Sequence, residues 1–151
     1  MPRRQTPAGG IAATHWPPLP GRLLRAYRAT HYRVAGIVVR VGRRSAALDA
    51  MLAARRARTA IFVTAWNPLS RRMPPGRNHR LQRQLATRLR RFAVMPAEGS
   101  LRRWHEAHVL VLADPRPVLR LARQFHQRAV LVVRRGQPAR LILLHYAAAA
   151  I

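Results

Sequence analysis

The chain contains no cysteine, no lysine and only four acidic residues among its 151. The first absence excludes disulfides, thiolate nucleophiles and cysteine-ligated zinc. It fits a reducing compartment, and a cytoplasmic protein is expected. The scarcity of carboxylates makes a magnesium-dependent nuclease hard to assemble. Long hydrophobic runs are missing too. VLVLA at 109–113 and AVLVV at 129–133 fall far short of the roughly 20 residues that a membrane-crossing helix requires. The N-terminus carries Arg3 and Arg4 but no continuous apolar segment, so it does not read as a secretory signal. With Pro2, Pro7, Pro17, Pro18 and Pro20, residues 1–20 read as a flexible Pro-rich tail. Aromatics are sparse, and no RNA-recognition motif is legible. Glycine-rich phosphate loops, dinucleotide fingerprints and serine nucleophile elbows are absent as well. No cofactor and no metal site is expected.

What is abundant is arginine. The chain has 29 basic residues, all arginine, and a formal net charge of +25. Arginine binds phosphate in bidentate fashion and stacks on bases, which suits a polyanion partner. A chain rich in Arg, Ala, Pro and Gly without lysine also fits GC-rich codon usage. That origin explains the choice of arginine over lysine but not the scarcity of acids. Either way, so large a charge gives a strong field and some nonspecific affinity for nucleic acid or acidic membranes.

The length and hydrophobic content suit one globular domain, expected over 21–147 after the tail. A short helix or turn is predicted over 22–28. HYRVAGIVVRVG at 31–42 reads as a strand with poor alternation, ended by Gly42. Ser45 reads as the N-cap of a helix over 46–57, and 59–65 as a buried strand. Pro74, Pro75 and Gly76 make 70–77 a loop. The stripe Leu81, Leu85, Leu89 and Phe92 predicts a helix over 78–92. MPAEGS at 95–100 reads as a loop and 104–113 as a strand. Asp114-Pro115 starts a helix that buries Val118, Leu121, Ala122 and Phe125. A strand over 129–133, a turn over 134–139 and a pairing strand over 140–146 complete the chain. The expected class is therefore α/β or α+β: a mixed sheet of about five strands with three to four packed helices.

A candidate site sits where the strand 59–65 ends in Trp66, Asn67 and Pro68. Open α/β folds place ligands at the carboxyl ends of strands. The following loop leads to Asn78, which lies on the side of the leucine stripe and beside a helix N-terminus that favours anions. Two amides and an indole can thus converge on a pocket. Equally, Asn67-Pro68 is an ordinary turn opener and Asn78 an ordinary N-cap. In W-H-E-A-H at 104–108, Trp104, Glu106 and His108 share one strand face, and His105 lies on the other. Glu106 suits a general base or, more simply, the partner of a buried arginine. His105 and His108 do not form a local zinc pair. Gln127, where a helix leads into a strand, can bind a ligand or, by default, backbone.

Several segments occur together in order: AYRATHYRV (26–34), FVTAWNPLS (62–70), Asn78 followed by leucines, W-x-E at 104–106, the LVL run at 110–112 and LARQFHQRAV (121–130). In these the chain resembles a bacterial domain-of-unknown-function family marked by Thr-Ala-x-Asn-Pro and Phe-x-Gln-x-Ala. The resemblance covers roughly 21–145. It implies a small, standalone protein of α/β type with signature residues Thr64, Asn67, Pro68, Asn78, Glu106, Phe125 and Gln127, and it implies no activity. An acid often precedes the helix-start asparagine in that family. Here Arg77 stands there, which puts an acid-based role at that position in doubt.

Two functions remain open. The first is a binding protein whose arginines, among them Arg71, Arg72, Arg77, Arg80, Arg83, Arg90 and Arg91, make nonspecific phosphate contacts with nucleic acid or another polyanion. The second is an enzyme or small-ligand protein with a polar pocket of Thr64, Trp66, Asn67, Asn78, Glu106 and Gln127. A purely structural role for the signature residues is a third possibility.

Overall fold

Turn chemistry cuts the apolar segments into more strands than their lengths suggest. The computed structural model describes residues 19–144. In chain order these form α1 (Gly21–Ala29), β1 (His31–Val34), β2 (Ile37–Val39), α2 (Ala46–Ala54), β3 (Thr59–Val63), a 3-10 turn (Pro68–Ser70), α3 (Pro75–Arg88), β4 (Ala93–Leu101), β5 (Trp104–Leu112), α4 (Pro115–Gln124), β6 (Ala129–Arg134) and β7 (Arg140–Leu143). The expected tail, 1–20, falls almost wholly outside the described residues, as do 145–147 of the expected domain.

The strands make one sheet of seven, in the order β2-β1-β4-β5-β3-β6-β7. Every neighbouring pair is antiparallel. This corrects the expected mixed sheet of about five strands; the class is α+β, with four helices among the described residues. Two misread segments account for the difference. Residues 31–42 are a hairpin, because Ala35 and Gly36 both take positive φ (48° and 76°). Such a two-residue turn reverses a chain that otherwise looks like one strand. Residues 95–100 lie inside β4, although Pro96 and Gly99 argue for a loop. Proline is tolerated here because β1 pairs only with Ala97–Ser100, so Pro96 lies where the strand has a single neighbour.

The sheet curls into a half-barrel. Its two edges approach so closely that Val41, after β2, bridges Ala139, before β7. The Gly42 N–H donates to the Ala139 carbonyl at 2.8 Å, and the Ala139 N–H to that of Arg43 at 3.0 Å. Inside the curl, Tyr32, Val34, Val39, Phe62, Leu110 and Leu131 pack with Leu48 and Leu52 of α2. Outside it, Ile61, Val63 and Val111 pack with Leu85 and Leu89 from α3 and its C-cap, and with Val118, Leu121 and Ala122 of α4. β3 is therefore covered on both faces, which is why 60–63 is apolar without alternation.

Two helix caps are as expected. The Ser45 hydroxyl accepts from the Leu48 N–H at 3.1 Å, and Asp114 accepts from the Arg116 N–H at 2.9 Å. The α3 start differs. Proline suits the first helical position, where an N–H would have no partner, so the helix begins at Pro75, three residues before Asn78. Asn78 is buried within the first turn and caps nothing.

Candidate functional site

α2 fills one end of the concave face. At the other end lies a cavity of about 700 Å³, covered by Leu23, Ala26 and Tyr27 of α1. Thr64, Trp66, Asn67, Asn78, Glu106 and Gln127 all line it, together with Tyr32, Phe62, Trp104 and His108. The structure thus brings the six expected pocket residues to one wall. Of the seven arginines expected to meet a polyanion, only Arg72 lines the cavity. All seven are exposed.

The wall begins where β3 ends. The Thr64 hydroxyl donates to the Ala107 carbonyl at 2.6 Å and accepts from the Trp66 N–H at 3.1 Å. The Ala65 N–H donates to Gln82 Oε1 of α3 at 2.9 Å. Asn67 then takes a left-handed conformation (φ 47°), followed by Leu69 (56°) and Ser70 (58°). Three non-glycine residues in that region within four positions is stored strain, and the surroundings hold it. The Asn67 N–H donates to Asn78 Oδ1 at 2.9 Å. Asn67 Oδ1 accepts from the Met73 N–H at 2.9 Å and from Asn78 Nδ2 at 3.0 Å. Gln127 Nε2 donates to the Trp66 carbonyl at 3.0 Å, the Leu69 N–H to the His126 carbonyl at 2.7 Å, and Arg128 Nε to the Leu69 carbonyl at 3.1 Å. Asn78 and Gln127 therefore brace the loop.

Asn67 Nδ2 points the other way and donates to Glu106 Oε1 at 2.7 Å. Glu106 is buried, and among the described residues no arginine pairs with it. The expected buried arginine partner is thus an amide instead. Burial pushes the Glu106 carboxyl up to about 7, with the Asn67 hydrogen bond opposing. At neutral pH the carboxyl is divided between acid and base, the condition for giving or taking a proton.

Two residues along the same strand face is His108. Burial lowers its pKa to about 4, opposed by the contact of Nδ1 with the Glu106 carbonyl at 3.2 Å, so the ring is neutral near pH 7. Nδ1 carries the proton in that contact, because the carbonyl can only accept. The ring meets Tyr32 edge-on at 5.6 Å between centroids. Burial also raises the pKa of Tyr32 and of Tyr27, whose hydroxyl lies 3.2 Å from that of Ser70. Both phenols stay protonated. Trp66 meets His79 edge-on at 5.3 Å, and its buried Nε1 has no hydrogen-bond partner among the described residues.

Tyr27 and Tyr32 carry no motif of their own. They join the site only because the curl brings β1 and α1 over β5, a long-range event. His108 was legible as a face-mate of Glu106, though not as a wall residue. No group of three or more potential metal ligands occurs among the described residues. No helix among them is long and apolar enough to cross a membrane.

Residues 63–130 match the model of a family described as a protein of unknown function (DUF3293). No curated protein and no solved structure matches the chain. The matched segment runs from the last residue of β3 into β6. It contains Thr64, Trp66, Asn67, Asn78, Glu106 and Gln127, and leaves out the Tyr27 and Tyr32 walls.

Proposed function

We propose that the concave cavity is a small-molecule site and that Glu106 meets the polar end of its occupant. The observation that supports this reading is a buried carboxyl that has no cation partner among the described residues of an arginine-rich chain. Burying a carboxylate is costly unless it is paired, and a single amide hydrogen bond offsets only part of that cost. Concave, mostly apolar cavities of roughly 300–1,000 Å³ with a few convergent polar groups are the usual form of ligand sites.

A thermal-shift screen of small molecules tests the reading. A ligand at 100 times its Kd stabilises the folded state by about 2.7 kcal/mol, a readily measured rise in melting temperature. The rise should vanish in Ala26→Trp, which puts an indole into the cavity from α1. Ligands that stabilise both proteins equally would place binding elsewhere.

A second reading concerns the surface. Arg71, Arg72, Arg77, Arg80, Arg83, Arg90 and Arg91 are exposed, and none has an acidic partner among the described residues. Unneutralised guanidinium groups around α3 favour nonspecific contact with nucleic-acid phosphates.

A further inference from the structure

We propose that the occupant of the cavity carries a protonated amine, and that this ammonium group is the cationic partner Glu106 does not have among the described residues. The proposal rests on the cavity being a ligand site and adds the charge of the ligand.

Carboxylates elsewhere in this protein find arginine. Glu98 lies 3.8 Å from Arg33, Asp49 2.9 Å from Arg44 and Asp114 3.4 Å from Arg116. These with Glu106 make up all four acids. Glu106 alone is buried on the cavity wall, and the only hydrogen bond to its carboxylate among the described residues comes from the Asn67 amide at Oε1. Oε2 therefore remains to accept a proton donor from the occupant.

The rest of the wall supplies aromatic surface and little positive charge. Tyr27, Tyr32, Phe62, Trp66 and Trp104 line the cavity. Arginine contributes only Arg72 and Arg103, both exposed at its rim. A carboxylate beside aromatic rings is the chemistry that recognises ammonium groups, through charge-assisted hydrogen bonds and the attraction of a cation to ring faces. The other titratable groups on the wall do not compete. The His108 ring is neutral and both phenols are protonated. His105 is exposed.

The surface charge makes the test selective, because an amine is repelled everywhere but at this site, whereas anions stick broadly. The full chain is titrated at pH 8 with two matched sets. One set is 2-phenylethylamine, 2-phenylethanol and 3-phenylpropionate, and the other is tryptamine, tryptophol and indole-3-propionate. Binding is read from amide and indole NMR shifts at the cavity residues. Each amine should bind at least about tenfold tighter than its alcohol. Glu106→Gln should reduce that ratio to about one, because it removes the charge that only the ammonium group meets. A measurement on the unsubstituted protein covers the case in which Glu106→Gln fails to fold. The Glu106 carboxyl carbon should titrate lower when amine is bound and not when alcohol is bound. If alcohol binds as well as amine, or the carboxylate binds best, at the same residues, the amine proposal falls while the cavity reading stands. If no compound in either set shifts the cavity residues, both fall.

Discussion

Gly99 makes room for the His108 ring. A Cβ on Gly99 would lie 2.8 Å from His108 Cε1, closer than packed atoms allow, and a tight 3.3 Å from Nδ1. The pairing explains why. Gly99 sits between Tyr32 on β1 and Glu106 on β5 in register, so its missing side chain opens a slot between the two. The slot is filled by the imidazole, which rests against Tyr32. Gly99→Ala forces a buried ring to move, and overpacking of this kind costs about 1–3 kcal/mol. The melting temperature should fall, and the His108 ring resonances should shift. An unchanged melt would mean that the ring swings away freely and that the slot is not specified by Gly99.

Asn78 and Asn67 hold the strained loop in different ways, and their alanine variants should differ. Asn78→Ala removes the acceptor of the Asn67 N–H and a donor to Asn67 Oδ1. A buried backbone N–H left unpaired costs about 1–3 kcal/mol, so this variant should melt lower with little change in the acidity of Glu106. Asn67→Ala loses contacts to Met73, Asn78 and Glu106 and puts alanine at a φ of 47°, where a side chain without a local hydrogen bond is disfavoured by about 1–2 kcal/mol. It also removes the one interaction that holds the Glu106 pKa down. Carbon-detected titration of Glu106 should therefore give a value above that of the unsubstituted protein in Asn67→Ala only. A rise of equal size in both variants would show that the loop position, and not the amide itself, sets the acidity.

Much of the site could be read from the sequence because it is local. The end of β3 in Trp66-Asn67-Pro68, the alternation that puts Glu106 and His108 on one face, and the caps Ser45 and Asp114 all follow from short-range rules. What the sequence left hidden depends on pairing at a distance. Pro96 and Gly99 are loop residues by propensity, yet β5 recruits them into β4 across a two-residue turn, where Leu101 pairs with Trp104. Ala35-Gly36 hides a hairpin because alanine is an unusual residue at positive φ. Asn78 looks like a cap, but a proline three residues earlier starts the helix more cheaply. Glu106 could be singled out as one of four acids. That its partner is an amide, and that no arginine among the described residues pairs with it, emerges only in three dimensions.

The arginine face makes a separate prediction. On duplex DNA, log K falls with log salt by about 0.9 for each phosphate neutralised. Filter binding or anisotropy with a random duplex should show measurable affinity at low salt and a steep loss toward physiological salt. Replacing Arg77, Arg80 and Arg83 on α3 with glutamine should flatten the slope by up to about 3 without altering cavity ligands, since none of the three lines the cavity. Absence of binding at low salt would remove the polyanion reading altogether.

The pH dependence of stability is set by two opposed groups on β5. Glu106 titrates near 7 in the folded protein against 4.5 for the free group, so folding takes up a proton between those values. Its contribution is therefore most favourable below about pH 4.5, is lost as pH rises and is gone above about 7. His108 titrates near 4 against 6.5, so folding releases a proton between those values. Its contribution is fully present above about pH 6.5 and is lost as pH falls toward 4. Between pH 4.5 and 6.5 the two slopes cancel, and stability should be nearly level there as far as these groups decide it. Glu106→Gln removes one slope and keeps the hydrogen bond from Asn67. Its stability should rise from pH 4 to 6.5 and then level off. At pH 8 it should exceed the unsubstituted protein by on the order of 3 kcal/mol, from the size of the shift at 1.36 kcal/mol per pKa unit. Near pH 4 the two proteins should be alike. Denaturant melts at half-unit intervals measure both curves. If the curves run parallel from pH 4 to 8, Glu106 is not the buried, uncompensated acid that the cavity reading requires.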